Sequence, residues 1–310
     1  MRHLTARSLD FAVNRQITWG MSDDARRHWG VSMEYYNGKT AIVTGGGSGI
    51  GRALALELTR YGARVWVVGL DAESVESVAK ECGADAVARE IDVRDEAAVR
   101  VVVNEAHRAA GGRLDFIFNN AGIGLAGEVD EIPSQAWDEI IDVNIRGTVN
   151  GVQAAYPLMV AQGFGHIVNT SSLAGIAATP LMTPYAMTKY AIVGLSKSLR
   201  TEAAGRGVRV SVLCPGLIET PLLERTGLSS TEPVWMPNVR RMLTRMSGPA
   251  YPADAFAREA LTKVARNQAV IVSPGRSRMA AFMSNFAPRM AAGMWSKTIE
   301  AERQQRRQQT

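Results

Sequence analysis

Tyr185 and Lys189 stand four residues apart in the segment Tyr185-Ala186-Met187-Thr188-Lys189. On a helix that spacing brings both side chains to one face. A phenol with an ordinary pKa of about 10 is a poor base at neutral pH, and a neighbouring ammonium favours its ionised form. Bringing it near neutrality takes roughly 3 pK units, or about 4 kcal/mol of differential stabilisation. Lys189 is placed to provide part of that. Thirteen residues before Tyr185, Thr170-Ser171-Ser172 offers hydroxyls. Ser172 can donate a hydrogen bond to a substrate oxygen, whereas strand alternation turns Ser171 the other way. A Tyr-x-x-x-Lys spacing is common by chance, so its meaning rests on the elements that position it.

Those elements alternate. Short apolar, β-branched runs predict strands at 40–44, 64–68, 86–91, 114–118, 165–170, 208–213 and 270–272. Helical patterns lie between them: 53–58, 72–81, 95–110, 134–162 and 183–204. Strands apolar on both faces and separated by helices imply a parallel sheet covered on both sides. The expected fold is α/β, a Rossmann-type doubly wound parallel sheet in a single domain. Thr170 to Ser172 then close a strand at the carboxyl edge of the sheet, where ligands of such folds bind.

Between the first strand and the first helix lies Thr44-Gly45-Gly46-Gly47-Ser48-Gly49-Ile50-Gly51. Gly45, Gly49 and Gly51 permit a tight turn, close backbone approach and close helix packing, and the helix N-terminus offers N–H groups to a pyrophosphate. No Lys follows the glycines, so the nucleoside-triphosphatase loop is excluded. The loop points to a dinucleotide, and a bound, positively charged nicotinamide ring would add to Lys189 in favouring the Tyr185 phenolate. At the end of the second strand, where a carboxylate would hold the ribose of NAD, stands Gly69, with Asp71 two residues late. Ser48 and Leu70 occupy the spots where a basic residue would meet a 2′-phosphate. Arg52 is a possible phosphate contact or a plain helix-surface residue. Loss of the carboxylate removes repulsion, so the expected cofactor is NADP or NAD with a lean to NADP.

Composition removes other classes. The net charge of +5 comes from the ends: five Arg against three Asp over residues 1–32, and five basic against two acidic residues over 289–310, with the remainder balanced. The body therefore carries no basic face for nucleic acid. No run reaches the eighteen or so apolar residues of a membrane span, and no signal-peptide core precedes the body; the expected location is cytoplasmic. Two cysteines, Cys82 and Cys214, make no CxxC pair, so neither metal nor a disulfide framework is expected.

Taken together, Thr44 to Gly51, Asp92-Val93, Asn119-Asn120-Ala121-Gly122, Asn144, Ser172, Tyr185-x-x-x-Lys189 and Pro215-Gly216 followed by Thr220 resemble the short-chain dehydrogenases/reductases in order and spacing from about 38 to 222. The resemblance implies an NAD(P)-dependent oxidoreductase acting on CH–OH groups. It implies that Tyr185 exchanges the proton, that Lys189 lowers its pKa and holds the nicotinamide ribose, that Ser172 positions the substrate oxygen, and that Asn144, on a helix, orders a water linking Lys189 to solvent. For the cofactor it implies Gly45, Gly47, Ser48, Gly49, Ile50 and Gly51 at the phosphates. Asp92 and Val93 would flank the adenine, and Asn119, Ala121 and Gly122 border the cofactor. Pro215, Gly216, Ile218 and Thr220 lie at the carboxamide end, with Tyr185 and Lys189. Asn120 has a structural alternative and Asp92 a helix-cap alternative. A homodimer or homotetramer is also implied by the family alone.

The division expected is an extension over 1–36 without fixed structure (or a true start at Met33), a dinucleotide-binding and catalytic body over 37–275 with an irregular, Pro-rich lid at 221–250, and a helical tail over 276–310. Lid and tail are rich in Met, Trp and Phe, among them Leu222, Trp235, Met246, Met279, Phe282 and Met294. Such adaptable apolar surface serves core or subunit packing, a bulky apolar alcohol or ketone (steroid, terpenoid or acyl chain), or loose docking of the tail on a membrane, which Pro288 would interrupt. The rival to an enzyme is a non-catalytic NAD(P)-binding protein of the same fold.

Overall fold

In the computed structural model, which describes residues 34–224 and 235–309, seven parallel strands form one sheet in the order β3-β2-β1-β4-β5-β6-β7. The strands are β1 (Thr40–Thr44), β2 (Arg64–Gly69), β3 (Val87–Glu90), β4 (Phe116–Asn119), β5 (Gly165–Thr170), β6 (Val208–Pro215) and β7 (Val270–Ser273). Helices α1 (Gly49–Arg60), α2 (Ala72–Cys82), α3 (Glu96–Ala109), α4 (Ser134–Ile141), α5 (Gly147–Gln162) and α6 (Thr183–Ala204) supply the crossovers through β6. The chain steps outward from β1 twice, once through β2 and β3 and once through β4 to β7. The split between β1 and β4 is the switch point at which such sheets bind ligands.

Alternation along β1 shows why the sheet is covered on both faces. Ala41 and Val43 pack with Leu54, Leu58, Phe256 and Leu261, while Ile42 packs with Val99, Val103, Ala155 and Met159 on the other side. All these side chains are buried. Each large one contributes about 1.5–3 kcal/mol relative to exposure.

Four observations revise the sequence expectations. Tyr35 and Tyr36, assigned to the extension, belong to a helical turn against the body. Tyr36 is fully buried, stacks on Tyr61 and donates its hydroxyl to Leu261 O at 2.9 Å, which satisfies both ends of an amphipathic ring. The rest of that extension, residues 1–33, lies outside the described residues.

The helix expected over 134–162 is not uniform: a π turn, Asp142–Arg146, joins α4 to α5. The lid is not wholly irregular. It contains helix α7 (Val239–Ser247), started by the Asn238 side chain accepting from Arg241 N at 2.8 Å; residues 225–234 of the lid lie outside the described residues. Helix α8 (Ala253–Ala265) follows and covers the sheet beside α1.

The tail forms two helices, α9 (Ser277–Phe286) and α10 (Pro288–Gln309), broken at Pro288. α10 is tied down by buried Glu302, which receives Arg241 Nη2 at 2.6 Å and Asn238 N at 3.2 Å from the α7 segment. Arg303 and Arg306 reach Glu128 and Glu131 at 2.7 and 2.6 Å. Cys82 and Cys214 are both free and buried.

Candidate active site

The glycine turn is built by close approach. Gly45 has φ of +63° and a Cβ there would stand 2.8 Å from Ala121 Cα, while a Cβ on Gly51 would fall 2.0 Å from Gly45 O. Only glycine fits both places. Thr44, unassigned by the sequence reading, holds the two loops together: its Oγ1 accepts from Asn120 N at 2.9 Å and Ala121 N at 3.1 Å. Asn120 donates to Thr44 O at 3.1 Å, which is the structural alternative raised for it. Above this turn α1 begins without a side-chain cap from Ser48 and without an acidic residue in its first turn. Its leading N–H groups are therefore open to an anion, and the cradle fits a dinucleotide pyrophosphate carried by Gly47, Ser48, Gly49, Ile50 and Gly51.

Farther along the edge, β2 ends in Gly69, whose Cβ would meet Val75 Cγ1 at 2.9 Å. Leu70 beyond it is exposed. Arg52 pairs with Glu81 at 2.5 Å, so it behaves as a helix-surface residue. Asp92 is held by Arg94 at 2.8 Å, and that guanidinium keeps its carboxyl below the ordinary range. It is not the cap of α3; Asp95 is, accepting from Ala98 N at 3.0 Å. Val93 presents its carbonyl to Asn150 Nδ2 at 2.9 Å and leans on Gly147. Asn119 borders the cleft with backbone only, because its amide is committed beneath the sheet edge to Asn169 Oδ1 at 2.8 Å.

The catalytic candidates converge from three elements. Ser172 follows β5, Tyr185 and Lys189 lie one turn apart on α6, and Asn144 projects from the π turn. Ser171 is turned away, as expected, and donates to Lys189 O at 2.7 Å, clamping α6 against the end of β5. Ser172 accepts from Ala174 N at 3.1 Å and faces the same cavity as Tyr185. Lys189 is 3% exposed; its Nζ donates to Thr170 O at 3.1 Å and lies 5.5 Å from the centre of the Tyr185 ring.

The amide of Asn144 is engaged on both sides. Oδ1 accepts from Ile123 N at 2.9 Å, and Nδ2 donates to Ile123 O at 3.1 Å and to Thr188 Oγ1 at 3.0 Å. Thr188 in turn donates to Tyr185 O at 2.8 Å. A Cβ on Gly122 would sit 3.0 Å from Asn144 Oδ1 and 3.2 Å from Lys189 Nζ, so all three border one point. Thr188 was an unspecified position in the sequence motif, and only its place one turn after Tyr185 hinted at this link.

Burial sets the electrostatics. It pushes the Tyr185 phenol above its ordinary pKa, opposed by the hydrogen bond with Ser172. It lowers Lys189 to about 8, opposed by the nearby Cys214. The expected lowering of Tyr185 by Lys189 is therefore absent from the protein by itself. The ammonium is spent on a carbonyl, and desolvation outweighs it.

Over Ser172 and Tyr185 opens a cavity of about 350 Å³. Ile50, Pro215, Gly216, Ile218 and Thr220 line its cofactor side, and Leu222, Leu223, Leu243, Met246, Met283 and Trp295 its far wall. Thr220 lies against the glycine turn, its Cγ2 3.2 Å from a Cβ built on Gly49. The cofactor cradle and the apolar cavity thus share a boundary at the Ser172–Tyr185 pair.

Sheet order, glycine cradle and the Ser–Tyr–Lys cluster define an oxidoreductase built to work with a nicotinamide cofactor. A family model described as short chain dehydrogenase matches residues 39–229, and the chain belongs to that family. An uncharacterized oxidoreductase of Staphylococcus aureus is 37% identical over 191 residues, 61% of this chain and 82% of that one. A short chain dehydrogenase/reductase from Burkholderia phymatum, solved in complex with NAD, superposes with a TM-score of 0.73 at 27% identity, covering 80% of this chain and 93% of that one. A 3-ketoacyl-(acyl-carrier-protein) reductase from Brucella melitensis, complexed with NADH, gives 0.68 at 30% identity, covering 78% and 99%. No helix among the described residues is long and apolar enough to cross a membrane.

Proposed function

We propose that the protein transfers a hydride between NAD(P) and a bulky, apolar secondary alcohol or ketone. The observation that carries this reading is the cavity whose floor is Ser172 and Tyr185 and whose far wall is aliphatic and aromatic. A substrate carbon skeleton would gain by leaving water there, while its oxygen meets two hydroxyls. A bound nicotinamide supplies or accepts the hydride.

The chain's own part is the proton. Ser172, already accepting from Ala174 N, has its O–H to give to the substrate oxygen. Tyr185 holds the proton in the reduction direction and takes it in oxidation. Lys189, on a full turn below, holds the ribose and supplies positive charge to the phenolate. Asn144, fixed by Ile123 and Thr188, is a positioning residue for that lysine and for water beside it. Gly69 in place of a carboxylate supports the lean to NADP, since no fixed negative charge stands at the end of β2 to repel a 2′-phosphate. A homodimer or homotetramer belongs to the same reading, with Met187 and Tyr190 as exposed large apolar groups on α6.

The test is a panel of secondary alcohols and ketones of graded size, followed by absorbance of the reduced cofactor with NAD and NADP in parallel. Wild type is expected to favour the larger apolar members. Tyr185→Phe is expected to lose at least about a hundredfold in kcat while binding cofactor as before. Equal inactivity of wild type and Tyr185→Phe with cofactor still bound would return the protein to the non-catalytic reading. Tighter binding of NAD than of NADP would remove the NADP lean.

A further inference from the structure

We propose that the outer face of the α9–α10 hairpin docks on an anionic lipid surface. Met279, Phe282 and Phe286 lie three and four residues apart on α9, and Met290 and Met294 four apart on α10, so each helix shows one apolar stripe. All five are exposed: 64, 54, 75, 63 and 52% in that order. These are large side chains left in water on the same helices that bury Trp295, Thr298 and Glu302 inward. Phe282 and Phe286 stack on each other at 4.7 Å between ring centres, and nothing else described covers them.

Charge identifies what would cover them. From residue 276 to residue 299 the chain has four basic residues and no acidic one. Arg278, Arg289 and Lys297 are exposed and have no carboxylate partner among the described residues, in contrast to Arg241, Arg303 and Arg306 on the inner side. An apolar stripe bracketed by unpaired cations is the pattern of a segment that lies in a membrane interface, where each cation gains from anionic headgroups. A second copy of this chain is a poorer occupant, because its stripe brings the same cations and no carboxylate to meet them. The helices lie on the surface and do not span it.

The stripe also adjoins the cavity. Met279 and Met294 line it while being more than half exposed, so the docked face would form the cavity's mouth. An apolar compound could then pass from the bilayer without crossing water. That consequence rests on the substrate reading above; the docking itself does not.

The test is co-sedimentation of the full-length protein with sucrose-loaded vesicles of phosphatidylcholine alone and of phosphatidylcholine mixed with phosphatidylglycerol, at low salt. Wild type is expected to pellet with the mixed vesicles only, and to be released by salt. The variant R278Q/R289Q/K297Q is expected to lose roughly a hundredfold in partition coefficient, each cation counting for about fivefold. F282S/F286S is expected to lose vesicle binding while keeping cofactor affinity. If either variant folds poorly, a fluorophore attached at Met290→Cys reports the interface directly, since Cys82 and Cys214 are buried; its emission is expected to shift to the blue on mixed vesicles alone. Absent binding, equal binding to both vesicles, or full binding by the charge variant would overturn the proposal. So would a dimer of wild type that F282S/F286S converts to monomer without any vesicle binding. None of these readouts involves turnover, so an inactive protein and a non-docking protein are told apart.

Discussion

Replacing Lys189 by methionine should make the cofactor-free protein more stable while removing its activity. Lys189 is buried with one acceptor, Thr170 O at 3.1 Å, and burial lowers its pKa from 10.5 to about 8. With the folded pKa below the unfolded one, the unfolded chain binds more protons between those values. Stability therefore rises as pH climbs from about 8 towards 10.5, and below pH 8 the full penalty is present. A shift of that size amounts to roughly 3 kcal/mol at pH 7. Methionine keeps the volume and drops the charge, but leaves the Thr170 carbonyl without its hydrogen bond, a loss of about 1 kcal/mol. The net gain of about 2 kcal/mol corresponds to a rise in Tm of roughly 4–8 °C for a domain of this size. Calorimetry of both proteins at pH 7 and pH 10 reads it, with the gap narrowing at the higher pH. At 5.5 Å and an effective dielectric constant of about 20, ammonium and phenolate attract by about 3 kcal/mol, or about 2 pK units. The acid limb of kcat/KM for alcohol oxidation should move up by that amount in Lys189→Met. A variant melting at or below wild type at pH 7, or a gap that does not narrow, would show that the buried ammonium carries no such penalty.

Gly51→Ala places a Cβ 2.0 Å from Gly45 O and 2.7 Å from Asn120 Nδ2, so the turn must open; a loss of about 1–3 kcal/mol in stability and at least tenfold (about 1.4 kcal/mol) in cofactor affinity by calorimetric titration is expected, and unchanged affinity would argue against the cradle. Gly69→Asp puts a carboxylate at the end of β2, with Val75 yielding, and should shift the ratio of NAD to NADP affinity towards NAD by about tenfold or more; an unchanged ratio would place the ribose elsewhere. Glu302→Gln weakens the buried clasp between α10 and α7 by about 1–3 kcal/mol, which should appear as faster amide exchange over 288–309 and a KM raised more than kcat is lowered; unaltered exchange would mean the clasp is not what holds the tail.

The sheet was legible because its strands carry a local signal. Ile42, Val67, Ile117 and Val168 lie in short β-branched runs that no amphipathic helix would show. The glycine cradle was legible because close backbone approach leaves few residue choices. The roof over the cavity was less so. Pro233 and Pro237 masked α7, although Val239, Met242 and Met246 repeat at helical spacing behind the Asn238 cap. The clasp at Glu302 joins residues 61 apart in sequence, and no local pattern reports such a pair. The electrostatics of Tyr185 were misjudged for a related reason. Spacing shows that Lys189 shares its face, but not that Thr170 O has already taken the ammonium, nor how fully both groups are buried.

The π turn at Asp142–Arg146 makes the length of this stretch matter as much as its composition. A π turn holds one residue more than an α-helix needs for the same advance. Deleting any single residue there would let α4 run straight into α5 and rotate everything downstream by about 100°. Asn150 would leave Val93, and Gly147 would no longer face it. In a deletion scan, residues 142–150 should therefore behave as a fixed ruler. A shortened chain could still fold its core and yet have lost the adenine wall and the Asn144 anchor in one step.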